Sequence, residues 1–255
     1  MKISIITVVF NNFSQIKKTI DSVINQTYNN IEYIVIDGGS TDGSKELIEQ
    51  YDSHIDCFIS EKDNGIYHAM NKGWMNATGE YCLFLNSGDY LYNHDVIAEV
   101  VIKMEKSNFD IYFGNLFAFD EKQSWISKFE EPISLYYFQH SFIPHPATFT
   151  KRVLLEKLGG FYEHYRIISD WAFFVNCFLS KASFKQIDVT VTSFYMKGSS
   201  SSSIISLKDR NELFSNEFKF LEEDFKNFDR LRHFDTSRIT KTARKISNWK
   251  IRNFK

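Results

Sequence analysis

The chain has 255 residues, 43% of them hydrophobic, enough to bury one substantial core as a single α/β domain or a domain with an appendage. Its formal net charge of −2 excludes bulk electrostatic binding of nucleic acid. Cys57, Cys82 and Cys177 lie in apolar runs without metal-type spacing and read as reduced core residues of a cytoplasmic protein, and no stretch reads as a signal peptide or a membrane span.

The opening run KISIITVVFN is continuous and rich in β-branched residues, which predicts a buried strand. Ser14 then caps a predicted helix that places Ile16, Ile20, Val23 and Ile24 on one face. IEYIVID predicts a second buried strand ending at Asp37. The loop GGSTDGS follows, where Ser40 or Thr41 caps a helix carrying Leu47, Ile48 and Tyr51. IDCFIS is a third strand, and a helix from about Gly65 to Ala77 lines up Ile66, Met70, Gly73 and Ala77. The fourth strand runs over 80–85, and a helix after Asp95 turns Ile97, Val100, Val101 and Met104 inward. From 105 to 200, short aromatic strands (DIYFGNLFAF, SWISKF, ATFT, TVTSFYM) alternate with brief helices, one of them over Asp170–Leu179. KGSSSSSI, 197–204, reads as a flexible loop, and the chain from Ser206 onward as helical and charged.

Alternation of continuous apolar strands with helices predicts an α/β fold with a mostly parallel sheet covered on both faces. Ligands of such sheets sit outside the carboxyl ends of the strands. Here those ends are polar: 7–12, 37–42, 61–65 and 86–89. The last belongs to YCLFLNSGDYL, an apolar strand that ends in a lone carboxylate, Asp89. A turn accounts for Ser-Gly-Asp by itself, but the convergence of four polar ends favours a site. No G-x-G-x-x-G follows the first strand, where VVFNNFS stands, and no P-loop is present. A diphosphate held without those devices needs a divalent cation, and the cation needs a carboxylate, for which Asp89 is the candidate.

SIITVVFNN, SVINQTYNNIEYIVIDGGSTDGS and EKDNGIYHAMNKGWMNATGEYCLFLNSGDYL, in that order, resemble the nucleotide-sugar half of a family 2 glycosyltransferase with a GT-A fold. HPATF and ISDWAFF resemble acceptor-side elements of its bacterial surface-polysaccharide branch, so the resemblance spans residues 2 to 200. It implies a Rossmann-like GT-A domain over 1–205, made of a nucleotide-sugar half (1–104) and an irregular acceptor half (105–205). A helical, basic extension would follow over 206–255. It also implies an inverting enzyme that uses Mg²⁺ or Mn²⁺. A sugar would move from a UDP-sugar, or a GDP-sugar, to a hydroxyl of a bacterial surface glycan or lipid-linked oligosaccharide.

Residue by residue, the resemblance implies that Thr7, Val8, Val9 and Asn11 line the nucleoside pocket. Asp37 would accept a hydrogen bond from the base, with Gly39 and Ser40 beside it. Asp63, Gly65, Ile66, Met70 and Asn71 would border the base and diphosphate. Asn86, Ser87, Gly88 and Asp89 stand at the DXD position, Asp89 matching the metal ligand, and Asp170 in SDW matches the general base. Two departures stand out: Asn86 replaces the first aspartate of DXD, and His68 stands where relatives carry aspartate.

The residues themselves leave alternatives open. Asp170 also suits a helix cap, and Asp42 and Asp63 suit helix or turn caps. His145, pinned between Pro144 and Pro146, is either a structural histidine or a third metal ligand on the acceptor side. Trp74 and Trp171 fit the core, and Trp171 also fits an acceptor-side sugar platform. At the carboxyl end, Lys241, Arg244, Lys245, Lys250, Arg252 and Lys255 accompany Ile239, Ala243, Ile246 and Trp249 on one helical face. Such a basic amphipathic helix docks on the cytoplasmic face of the inner membrane, on the domain, or on a partner subunit. Two other functions compete. One is a non-catalytic sugar-nucleotide-binding module, suggested by Asn86; the other is a sugar nucleotidyltransferase, which should carry a glycine-rich basic loop after the first strand and does not.

Overall fold

In a computed structural model, described over residues 1–129, 132–196 and 203–236, nine strands form one mixed sheet flanked by helices. The nucleotide half is parallel. There β1 (Ile3–Val9) lies between β2 (Ile31–Asp37) and β4 (Tyr81–Phe84), and β3 (Cys57–Ser60) pairs with β2. All seven residues of β1 are buried, as a strand needs to be when helices cover both faces. The acceptor half is mixed. Here β8 (Thr148–Lys151) joins β4 antiparallel to β6 (Ile111–Phe119), which runs parallel to β9 (Phe184–Tyr195). Two short strands complete it: β5 (Tyr90–Leu91) on β9 and β7 (Ser124–Ser127) on β6, both antiparallel. The parallel expectation therefore describes β1 to β4, and β8 is where the sheet changes character.

The helix bodies follow their apolar periodicity, but their starts are set from a distance. In α1 (Phe13–Ile24), Ile16, Thr19, Ile20 and Val23 are buried. Ser14 lies inside this helix and does not cap it; Asp42 Oδ2, on another loop, accepts from the Phe13 N–H at 2.9 Å. The other oxygen of Asp42 accepts from the N–H and hydroxyl of Ser44, so Asp42, not Ser40 or Thr41, organises the start of α2 (Ser44–Glu49). In α3 (Ile66–Asn76), Tyr67, Met70, Gly73 and Trp74 are buried while Ile66 is exposed. A Cβ on Gly73 would lie 2.3 Å from Ile6 Cγ2, so glycine lets the helix sit directly on β1. Gly73→Ala should therefore lower the unfolding free energy by about 1–3 kcal/mol, read from the urea midpoint, and an unchanged midpoint would show that α3 can lift without cost. The buried face of α4 (Val96–Met104) is the one expected.

The acceptor half adds α5 (Leu135–His140), α6 (Arg152–Leu158) and α7 (Ser169–Leu179). Beyond it, α8 (Ser203–Asn216) and α9 (Glu222–Thr236) fold back onto the domain. Phe214 and Phe218 pack on Trp171 with ring centroids 5.8 and 5.9 Å away, and Phe225 lies 5.2 Å from Phe214. Phe214 and Phe218 thus dock this part of the chain on α7. The basic residues 239–255 lie outside the described residues, as does most of the serine-rich loop. Among the described residues no helix is long and apolar enough to cross a membrane. The three cysteines are free; Cys82 and Cys177 are buried and Cys57 is half-buried.

The two ends of the central strands differ in kind. At the amino ends, buried Glu32 accepts from Lys2, Ser4 and the Thr78 N–H, and these partners outweigh burial to hold its carboxyl near a pKa of about 2. That carboxylate is saturated and structural. The carboxyl ends carry polar atoms with capacity left over.

Candidate active site at the carboxyl ends of the strands

After β4 the chain stays tied to β1: the Leu85 N–H donates to Ile6 O at 2.9 Å and the Ser87 N–H to Val8 O at 3.0 Å. Gly88 then takes φ +107°, open to glycine and strained for other residues, and the Asp89 N–H returns to Asn86 O at 2.9 Å. α1 holds this turn from below. Buried Thr19 donates its hydroxyl to Asp89 O (2.7 Å) and accepts from the Gly88 N–H (3.0 Å), while Asn12 Nδ2 donates to Ser87 O and Oγ.

The turn delivers Asp89 into a desolvated position, 7% exposed. Burial pushes its carboxyl up to about 7, although nearby His145 and the Tyr195 backbone N–H favour the charged form. Beside it, Asn86 Oδ1 is buried with no hydrogen-bond partner. The Asn86 amide nitrogen lies 3.1 Å from His145 Nε2, and His145 Nδ1 lies 2.9 Å from Asp170 Oδ2. Tyr67 donates its hydroxyl towards Asp170 Oδ1 (3.0 Å) and Ile167 O (2.5 Å). These contacts are mutually satisfied when the ring carries its proton on Nδ1 and accepts from Asn86 on Nε2. Burial opposes ionisation of Asp170, but His145, the Trp171 N–H and Tyr67 outweigh it and hold the carboxyl below its usual range. Asp170 sits in the first turn of α7, not at its cap position, Ile168. Its oxygens face Tyr67 and His145, which sets the cap reading aside.

The donors suit a hard divalent cation: an orphaned buried amide oxygen and a desolvated carboxylate three residues apart in one turn. Among the described residues no three His, Cys, Asp or Glu side chains gather to hold a metal alone. Substrate oxygens would have to complete the shell. His145 is not free to do so, because both of its ring nitrogens are engaged, which corrects its expected role as a metal ligand.

Several other expected positions move. Thr7, Val8 and Val9 are buried core, with Tyr33 donating to Thr7 Oγ1, so the rim of the cleft starts at Phe10 and Asn11 instead. Phe10 is 65% exposed. A Cβ on Gly38 would lie 3.4 Å from the Phe10 ring and 3.2 Å from Asp63 Oδ2, so the three lie side by side. Asn11, at φ +47°, locks the neighbouring loop: its N–H donates to Ser40 Oγ and its Oδ1 accepts from the Thr41 N–H. Gly39 has φ +82°. Asp37 is fully buried and accepts from the Ser40 N–H and the Ser60 hydroxyl. With no exposed surface, Asp37 holds the start of the 38–41 loop against β3 instead of facing a base.

Asp63 is paired to Lys72 at 2.6 Å, and Glu61 meets the same ammonium at 2.6 Å. Gly65 and Ile66 are exposed where α3 begins. Met70 and Asn71 are buried; Asn71 donates to Phe161 O and Glu163 and accepts from Trp74 Nε1, a structural hub rather than a diphosphate contact. His68 Nδ1 accepts from the Asn64 N–H. Trp74 is core as expected, and Trp171 is committed to the C-terminal aromatic cluster with Nε1 on Phe138 O, which removes it as a sugar platform. Sequence reasoning missed Phe10, Thr19 and Lys72, and placed Tyr67 within the 65–71 run without its contact to Asp170. Phe10 carried a usable signal, a bulky aromatic at a polar strand end, whereas Thr19 and Tyr67 look like ordinary helix residues until their partners are known.

Comparison with known proteins bears on the family and the fold. The family model described as Glycosyl transferase family 2 matches residues 4–173. A PGL/p-HBAD biosynthesis glycosyltransferase of Mycobacterium tuberculosis is 30% identical over 207 residues, covering 79% of this chain and 80% of the relative. Glycosyltransferase GlyA of Streptococcus pneumoniae is 34% identical over 124 residues, 48% of this chain and 18% of that protein. Among solved structures, S. aureus TarS 1-349 in complex with UDP-GlcNAc matches with a TM-score of 0.67 at 19% identity, over 94% of this chain and 74% of that one. The mannosyltransferase PcManGT of Pyrobaculum calidifontis, in complex with GDP-Man and Mn²⁺, matches at 0.65 and 17%, over 86% and 64%. This chain spans 44% of the longer TarS chain. At such identities the structural likeness speaks for the fold alone.

Proposed function

As this chain belongs to glycosyl transferase family 2 and has its GT-A type fold, we propose that it moves a sugar from a UDP-sugar, with inversion, to a hydroxyl of a bacterial surface glycan or lipid-linked oligosaccharide. The observation that carries this reading is the line from the Asp89 turn through Asn86 and His145 to Asp170, at the edge of the sheet where ligands of α/β folds sit. The nucleotidyltransferase alternative falls with the family assignment.

In this reading Phe10 offers its face to the base beside Gly38, and Asp63 with Lys72 flanks it. Asn86 Oδ1 and Asp89 would hold Mg²⁺ or Mn²⁺, which supplies Lewis-acid neutralisation of the leaving diphosphate when bound. Asp170, ionised at neutral pH, takes the proton of the acceptor hydroxyl on the face opposite the leaving group. A carboxylate offers about four lone-pair sites, so His145 and Tyr67 can orient Asp170 and still leave room for that hydroxyl. UDP-GlcNAc in the TarS complex supports a uridine donor, and GDP-Man in PcManGT keeps guanosine as the second class. The basic pattern of 239–255 fits work on a lipid-linked acceptor at the cytoplasmic face of the inner membrane.

A thermal-shift series with UDP- and GDP-sugars, with and without Mn²⁺, tests the donor class. A ligand at 100 times its Kd stabilises the folded state by about 2.7 kcal/mol, so the true donor should raise Tm only with the metal present. No shift with either nucleotide class would overturn the donor assignment.

A further inference from the structure

We propose that the C-terminal helical segment is part of the active site: Asp209 of α8 and Tyr67 of α3 clamp the 166–168 loop from two sides and so position Asp170. The inference deepens the reading of Asp170 as the base and rests on it. Asp209 is 7% exposed, and its Oδ2 accepts from the N–H groups of Arg166 (2.7 Å) and Ile167 (3.0 Å). A buried carboxylate is costly unless hydrogen-bonded, and two backbone amides converging on one oxygen form a charge-assisted anchor. Ile167 is held at its other end as well, since its carbonyl accepts from the Tyr67 hydroxyl at 2.5 Å. That hydroxyl also lies 3.0 Å from Asp170 Oδ1 and shares its one proton between the two acceptors, so a single group touches both the loop and the carboxylate.

The next residue after the base is tied to the same segment. Trp171 packs against Phe214 and Phe218, so Asp170 is flanked on both sides by contacts to chain beyond residue 202. The family match ends at residue 173, so this clamp is built partly from chain outside the region the family model covers. Asp209 and Tyr67 are positioning residues here: they act through the loop and through Asp170.

The test uses the full chain with Asp209→Ala, Asp209→Asn and Tyr67→Phe. Asp209→Ala and Tyr67→Phe should each lower kcat by about 10- to 100-fold, the scale of a misplaced reacting group, with UDP affinity by calorimetry unchanged. Asp209→Asn keeps an acceptor oxygen and should restore most of kcat. The double variant should be little worse than the worse single, because both changes loosen one loop. The ring ¹⁵N signals of His145, which contacts Asp170 directly, should shift in Asp209→Ala and Tyr67→Phe whether or not substrate turns over. An unshifted His145 signal, or kcat within about twofold of wild type, would overturn the clamp. If Asp209→Ala does not fold, Asp209→Ser, whose short hydroxyl withdraws the carboxylate from the Arg166 and Ile167 amides, decides by the same readouts. If the wild type transfers no sugar while the His145 signal shifts, the clamp stands and the assigned reaction fails.

Discussion

Asp170→Asn should leave UDP-sugar affinity unchanged and lower sugar transfer by about 10²- to 10⁴-fold, the range a positioned base contributes. The change is nearly isosteric. The side-chain oxygen of asparagine can still accept from His145 Nδ1–H or from Tyr67, so the site should keep its shape while losing its proton acceptor. The lowered pKa of Asp170 means that the wild-type carboxylate is ionised throughout the neutral range. Activity lost to its protonation should therefore appear only on acidification, below the ordinary carboxylate pKa. Measured kcat and calorimetric Kd for the donor separate the outcomes. Undiminished transfer in the variant would place the base elsewhere, and a wild type that binds donor but never transfers would make the chain a binding module.

Asp89→Asn should have opposite effects on stability and function. Burial raises the Asp89 carboxyl from 3.8 to about 7, so between those values the folded state binds more protons than the unfolded state. Stability of the metal-free protein should therefore fall as pH rises through that window, then level off above it. Three pKa units correspond to about 4 kcal/mol, an upper figure for what the neutral amide recovers at pH 8. The same substitution should abolish Mn²⁺-dependent UDP binding, because the charge that costs stability is the one that attracts the cation. In the wild type, metal-dependent binding should weaken as pH drops below about 7, where protons compete for the carboxylate. Denaturation at pH 5 and pH 8, with and without Mn²⁺ and UDP, checks all of this. Equal metal dependence in the two proteins would remove Asp89 as the ligand, and equal stability at pH 8 would show that its carboxylate is solvated after all.

This trade sharpens the meaning of Asn86. A second aspartate in the same desolvated turn would add like charge to a site that already disfavours one. Asn86 contributes an oxygen without that charge, and its amide simultaneously donates to His145. The neutral amide thus suits the proposed site, in which the turn would ligate the cation and the same side chain would orient the proposed base.

What could be read in the chain itself was everything governed by near neighbours. The continuous apolar runs of β1, β2 and β4, the inward face of α4, and the polar strand ends all follow from local pattern, and Asp89 and Asp170 stood out by motif. Hydropathy missed the first half of β9, because Lys185, Gln186 and Asp188 interrupt its apolar positions while β6 supplies the pairing. The remaining decisions were tertiary. Asp42 caps a helix 29 residues earlier, Asp37 is sealed by Ser60 from another strand, and Met70 and Asn71 turn away from the cleft into the core. Tyr67 reaches Asp170 across 103 positions, and Asp209 reaches Ile167 across 42. Periodicity reports which face of an element is apolar, a property of successive residues. Which polar atom meets which, and therefore which carboxylate is structural, which is desolvated and which is aimed, depends on how distant elements stack.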